Sequence, residues 1–253
     1  MRTILWIFLL FQCFAVNASD LEREHRIKEQ IVDAIMDGDP EMLEANGHEF
    51  LSIYTEADEP VGGVIILHGR GFHPDWADAI NPLRTGLVEF GWNTLSIQLP
   101  VLEKQAKYYD YVAVFDEATP RIEAAIEFLK EQGNKKIILL AHSCGVHMAM
   151  QYVRNRGEDG FDAFVGIGMG ATDYKQPMRQ TFPFDNMKKP VLDVFGGDDY
   201  PAVHRLAALR AQTSTEAANE LNTQKKIPGA NHYFTDKGDV LVEAVGSWLE
   251  NLK

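Results

Sequence analysis

Short β-rich runs alternate with longer helical runs from Phe50 to the end of the chain, and this alternation constrains the fold more than any other feature. The β-rich runs are expected at residues 50–54, 61–67, 93–98, 136–141, 163–169, 190–195 and 224–228. Helical patterns fill the intervals at residues 80–90, 121–132, 145–154, 201–221 and 240–252. Strands that alternate with helices form a mostly parallel sheet with helices on both faces. The sequence therefore predicts an α/β fold.

The first 18 residues have the layout of a secretory signal peptide. Arg2 precedes an apolar run from Ile4 to Val16, and a small side chain at Ala18 suits cleavage directly after it. The run is shorter than the ~20 apolar residues that a membrane-spanning helix needs. We therefore expect a periplasmic or secreted protein with no stable membrane insertion after cleavage.

Charge and cysteine content exclude several kinds of partner. Removal of Arg2 leaves 23 basic against 37 acidic residues, a formal net charge of −14. Nucleic acids and anionic membranes bind clustered basic residues, so neither is expected as a partner.

Cys144 is the one cysteine after the expected cut, which leaves no internal disulfide. No spacing such as His-Glu-x-x-His indicates a metal site, and we expect neither metal nor cofactor.

Residues 19–49 are expected to form an N-terminal helix and a linker. The chain is highly charged from Leu21 to Glu44, and apolar residues recur at helical spacing from Ile27 to Ile35. The pattern predicts one amphipathic helix over residues 21–44. A single domain with no large lid is then expected over residues 50–253.

The segment Ala141-His142-Ser143-Cys144-Gly145 directly follows a predicted strand and directly precedes a predicted helix. A small-x-Ser-x-Gly sequence in that context is a nucleophile elbow, although Ala141 stands where glycine is commoner. The tight turn exposes the Ser143 hydroxyl and aims the Cys144 backbone N–H at an oxyanion. His142 is expected to lie beside the serine and contact substrate. The alternative is an ordinary junction in which Ser143 caps the helix.

An acid and a base follow the serine in the chain order that accompanies such an elbow. Asp198 and Asp199 come after the sixth predicted strand, and either could act as the acid or cap the helix expected at Pro201. His232 lies between the last predicted strand and the last predicted helix. A histidine titrates near pH ~6.5, so at neutral pH it can accept the serine proton and return it to a leaving group.

A second oxyanion donor is expected in the glycine-rich loop at residues 68–72. Glycines let the backbone approach a substrate, and the Arg70 N–H is the preferred donor, with Gly71 as the alternative. Tyr200 and Tyr233 flank the proposed acid and base and are expected to contact the substrate. Aromatic loops at residues 99–119 and 171–189 suit an ester or thioester with an apolar part.

These motifs together resemble the α/β-hydrolase superfamily over residues 50–253, and the stretches at residues 67–76 and 95–100 resemble a family of uncharacterised secreted bacterial α/β-hydrolase-like proteins. The resemblance implies a single-domain α/β-hydrolase fold. It also favours Asp199 as the acid, because its spacing from Gly196 and Val203 is similar to the superfamily pattern. We expect a carboxylesterase-like serine hydrolase that uses Ser143, Asp199 and His232. The alternative is a catalytically silent binding or carrier protein of the cell envelope.

Overall fold

Eight strands form one sheet in the computed structural model, which describes residues 19–173, 176–184, 187–217 and 219–253. They are β1 Asp39–Ala45, β2 His48–Thr55, β3 Gly62–Leu67, β4 Trp92–Ile97, β5 Ile137–His142, β6 Ala163–Ile167, β7 Val191–Asp198 and β8 Thr223–Asn231. Their spatial order is β1-β2-β4-β3-β5-β6-β7-β8. β2 pairs antiparallel with β1 and with β4, and every other neighbouring pair is parallel. The predicted α/β class with a mostly parallel sheet is confirmed.

Seven α-helices surround this sheet in the described part of the chain. They are α1 Leu21–Ile31, α2 Ile80–Gly86, α3 Tyr108–Tyr111, α4 Ala118–Glu131, α5 Cys144–Arg156, α6 Pro201–Glu216 and α7 Gly238–Leu249. Side chains that alternate along β3 enter two separate cores, because successive strand residues point to opposite faces. Ile65 packs in the core that contains α4 and α5, whereas Ile66 packs in the core that contains α2 and α7.

The N-terminal region differs from the expected helix and linker. α1 ends at Ile31 and a 3-10 turn follows over Val32–Ala34, but β1 then occupies part of the segment that was expected to be helical. Pro40 has no backbone N–H for a helix, and Gly38 adopts a left-handed φ of 82°. The sheet therefore begins before residue 50, and the boundary expected there was wrong.

An Asn-Gly pair forms the turn that joins β1, the strand that was not predicted, to β2. Asn46 and Gly47 have φ angles of 52° and 77° and form the two-residue turn between β1 and β2, in which Ala45 pairs with His48. Asn-Gly is the favoured dipeptide of such left-handed hairpin turns. The helical spacing upstream obscured this signal.

The other elements lie within a few residues of their predicted positions, apart from α6, which ends at Glu216 rather than near residue 221. The predicted loop at residues 99–119 contains α3 and a 3-10 helix over Val112–Glu117. No separate lid domain covers the sheet in the described ranges. None of the helices described is both long enough and apolar enough to span a bilayer. The expected leader lies outside the described residues, so its cleavage stays a prediction.

Candidate active site

The turn between β5 and α5 holds Ser143 in a sparsely populated backbone conformation. Ser143 has φ 56° and ψ −118°, and its N–H donates to the Ile167 carbonyl at 2.8 Å. Such strain in a residue other than glycine persists only where the surrounding structure enforces it. A Cβ on Gly145 would lie 2.6 Å from the His68 carbonyl oxygen, so the turn requires glycine there. Although Ser143 occupies the N-cap position, its side chain makes no cap hydrogen bond.

Three side chains from separate loops form a hydrogen-bonded line at this turn. His232 Nε2 lies 2.7 Å from Ser143 Oγ, and His232 Nδ1 lies 2.7 Å from Asp199 Oδ1. A carboxylate only accepts, so Nδ1–H donates to Asp199 and Nε2 accepts from the serine hydroxyl. The arrangement prepares the hydroxyl to transfer its proton to the imidazole.

Asp199 is buried, whereas Asp198 is exposed at the end of β7. The Asp199 carboxylate also accepts the backbone N–H groups of Tyr200 at 2.6 Å and Gly196 at 3.3 Å. Burial would raise the pKa of Asp199, but hydrogen bonding and the charge of His232, with the two backbone donors, lower it below the usual range. The alternative role expected for these aspartates was to cap α6. The N-cap residue of α6 is Tyr200, and no side chain makes a cap hydrogen bond there, so neither aspartate caps the helix.

Aromatic contacts and a backbone turn hold the His232 ring. Tyr200 stacks on it with centroids 4.3 Å apart, and Tyr233 meets it edge-on at 5.3 Å. The two tyrosine hydroxyls are 2.6 Å apart. Asn231 Oδ1 accepts the N–H groups of Tyr233 and Thr235. Tyr200 and Tyr233 both line the pocket at Ser143, and their contact with substrate stays a prediction.

His142 lies in a different place from the one expected. Its side chain is fully buried and is not among the residues that line the pocket at Ser143. Its Nε2–H donates to the His232 carbonyl at 2.9 Å, and burial lowers the pKa of His142 to about 3, so the ring stays neutral. The substrate contact expected for His142 is therefore corrected to a buried contact behind His232. His142 is the last residue of β5, whose successive side chains point to opposite faces of the sheet. Every residue of β5 is buried, so His142 is buried too.

Cys144 and Arg70, the two residues expected to supply oxyanion donors, both line the pocket at Ser143. Cys144 begins α5, so its N–H lies outside the hydrogen-bond ladder of that helix. The Arg70 N–H has no hydrogen-bond acceptor among the described residues. The helix N-terminus also favours negative charge at this point. Burial raises the pKa of the Cys144 thiol to about 12, so Cys144 offers a backbone donor and no thiolate.

Side chains that sequence reasoning overlooked fix the loop around Arg70. His68 donates from Nδ1 to the Gly69 carbonyl at 2.7 Å and accepts the Leu99 N–H on Nε2 at 2.9 Å. The Arg70 guanidinium forms two hydrogen bonds, 2.7 and 3.1 Å long, with the carboxylate of Asp173. His68 carried a signal, since it is the first residue of the glycine-rich loop. Asp173 carried none, because its partner is 103 residues away.

A small pocket opens beside the serine and borders a larger cleft. The small pocket has a volume of about 90 Å³ and includes Ser143, Cys144 and His232 in its lining. The cleft has a volume of about 840 Å³. Arg70, Thr172 and Tyr200 line both spaces. The reacting centre is therefore narrow, with room for a larger substrate group next to it.

In the part of the chain that the structure describes, no three histidine, cysteine or carboxylate side chains lie close enough together to bind a metal ion. The His232 ring nitrogens are both used by Ser143 and Asp199. What this arrangement can do chemically is activate a hydroxyl nucleophile and stabilise an oxyanion.

A family model described as "Protein of unknown function (DUF3530)" matches residues 16–113 and 113–251. No curated protein matches the chain by sequence.

Solved structures share the fold at low sequence identity. Est1E from Butyrivibrio proteoclasticus is 17% identical with a TM-score of 0.63, and the match covers 85% of this chain and 98% of that one. An esterase of Pyrococcus furiosus is 16% identical with a TM-score of 0.64, covering 85% and 91% of the two chains. XC6422 from Xanthomonas campestris, described as an α/β serine hydrolase without lid, is 14% identical with a TM-score of 0.62, covering 86% and 96%. The predicted α/β-hydrolase fold is confirmed.

Proposed function

This chain belongs to the DUF3530 family of proteins of unknown function, and we propose that it is a serine hydrolase that cleaves an ester or thioester through an acyl-enzyme on Ser143. The observation that carries this proposal is the line Ser143–His232–Asp199, with both hydrogen bonds at 2.7 Å, beside a pocket. The α/β-hydrolase fold supports it, since that fold places a nucleophile at such a turn.

In the proposed reaction His232 removes the Ser143 proton while Oγ attacks the substrate carbonyl carbon. The carbonyl oxygen becomes an oxyanion and receives hydrogen bonds from the backbone N–H groups of Cys144 and Arg70. His232 then gives its proton to the departing alcohol or thiol, which leaves an acyl group on Ser143. Water repeats the sequence with His232 as base and releases the acid. Asp199 orients the imidazole and stabilises the imidazolium that forms in both halves.

The shape of the site suggests which part of the substrate is large. Five apolar residues line the cleft beside the reacting centre: Pro177, Met178, Pro201, Ala202 and Leu206. An apolar chain bound there leaves water, and each buried methylene contributes about 0.8 kcal/mol. We therefore propose an apolar acyl chain as the group that fills the cleft.

Lengthening the acyl chain of a p-nitrophenyl ester from acetate to hexanoate is expected to raise kcat/KM at least about tenfold, because four added methylenes reach the cleft. The measurement is a steady-state series of acetate, butyrate, hexanoate and octanoate. Leu206→Asn is the matched variant, since Leu206 lines the cleft but not the pocket at Ser143. It should reduce the gain with chain length and leave acetate turnover nearly unchanged. A profile that is flat from acetate to octanoate would contradict this assignment of the cleft.

A further inference from the structure

Ser19 makes a contact that suits a free α-ammonium group. The residue is 9% exposed, and its backbone nitrogen lies 3.2 Å from both Oε1 and Oε2 of Glu117. Glu117 accepts no other hydrogen bond from the residues that the structure describes. A peptide nitrogen has one N–H to share between two oxygens, whereas an ammonium has three and adds charge to the contact.

The charges around Ser19 also favour a cation at that nitrogen. Arg121 donates to both oxygens of Glu24, at 2.8 and 3.1 Å, and both side chains are buried. Burial raises the pKa of Glu24, Arg121 opposes the rise, and the negative charge of Glu117 adds to it. Arg23 directs its guanidinium to the carbonyls of Leu102 and Gly71 instead of these carboxylates. Glu117 therefore has no cationic side chain as a partner among the described residues.

We propose that the chain is cut between Ala18 and Ser19, and that the new α-ammonium of Ser19 forms an ion pair with Glu117. A signal peptidase would use one water molecule, whose hydroxyl adds to the Ala18 carbonyl carbon. The peptide C–N bond breaks, Ala18 leaves with a carboxylate, and both protons of the water join the nitrogen of Ser19 to complete its ammonium. Cleavage thus creates the charge that the fold can bind.

The ion pair would stabilise the packing of α1 against residues 99–119, the segment that contains Val101 and Glu117. Asp20 N–H donates to the Val101 carbonyl at 2.7 Å, and Val101 N–H donates to Glu24 at 3.3 Å. Arg23 on the same helix donates to the carbonyl of Gly71 at 3.2 Å, next to Arg70. A processed N-terminus would therefore stabilise the packing of α1 on this loop. This inference is independent of the proposed hydrolase activity.

Two measurements test the ion pair without any enzyme assay. Intact mass of the protein exported from its own host should correspond to a chain that begins at Ser19. Two purified chains, one beginning at Ser19 and one at Asn17, should then differ in Tm. The extra residues move the ammonium by about 7 Å, so the longer chain should melt about 2–4 °C lower.

Glu117→Gln distinguishes the ion pair from other effects of the added residues. In the chain that begins at Ser19 this substitution should lower Tm by about 2–4 °C. In the chain that begins at Asn17 it should lower Tm by less than about 1 °C, because no ion pair is left to lose. A mature N-terminus at another residue, or an equal effect of Glu117→Gln in both chains, would overturn the proposal.

Discussion

Ser143→Ala is expected to abolish ester hydrolysis, with kcat reduced on the order of 10⁶-fold. The substitution removes the atom that would form the acyl bond. Burial raises the pKa of the neighbouring Cys144 thiol to about 12, so that side chain cannot substitute for the hydroxyl. Activity is measured at saturating ester, with spontaneous hydrolysis subtracted.

The fold should survive this change. Alanine and serine are strained to the same extent at a φ of 56°, so the substitution does not change the backbone strain. The lost hydroxyl makes one side-chain hydrogen bond, to His232. Tm should therefore stay within about 3 °C of the wild-type value, since one hydrogen bond is worth about 1 kcal/mol. Residual activity within tenfold of the wild type would show that Ser143 is not the nucleophile.

Asp199→Asn is expected to lower kcat by on the order of 10⁴-fold, judged from the loss of the corresponding acid in the serine triad. The carboxylate accepts Nδ1–H of His232 at 2.7 Å and so leaves Nε2 free to accept the serine proton. An amide can present its NH₂ group instead and favour the wrong tautomer. The measurement is kcat with any ester that the wild type cleaves.

Asp198→Asn is the matched control, because the two aspartates are adjacent and lose the same charge. Asp198 is exposed and makes no side-chain hydrogen bond with the described residues, so kcat should change by less than about threefold. If Asp198→Asn proved the inactive variant and Asp199→Asn stayed active, the assignment of the acid would be wrong by one residue.

The sheet was predictable because its buried strands are continuous apolar runs between helical patterns. β3 and β5 follow this rule, and both lie within a residue of their predicted bounds. β1 does not, since it is an edge strand with exposed and half-buried residues in alternation. Its charged side chains resemble a helix surface, and the Asn46-Gly47 turn and the pairing with β2 distinguish the two.

The candidate site was predictable where the chemistry depends on local sequence. The elbow at Ser143 needs Gly145 at a fixed spacing, so a short motif indicates it. Long-range contacts left no such trace. The ion pair between Arg70 and Asp173 depends on how two distant loops fold. His142 was misplaced because the sequence does not show which face of β5 a single side chain occupies.

Reaction with a fluorophosphonate probe tests the central claim most directly. The activated hydroxyl displaces fluoride and becomes phosphonylated, and the experiment needs no knowledge of the natural substrate. The protein is incubated with the probe, and the modified peptide is identified by mass spectrometry. We predict one adduct per chain on Ser143, absent in Ser143→Ala and formed far more slowly in Asp199→Asn. A correctly folded wild-type protein that takes up no probe, or takes it up at another residue, would contradict the serine hydrolase account and favour a catalytically silent binding protein.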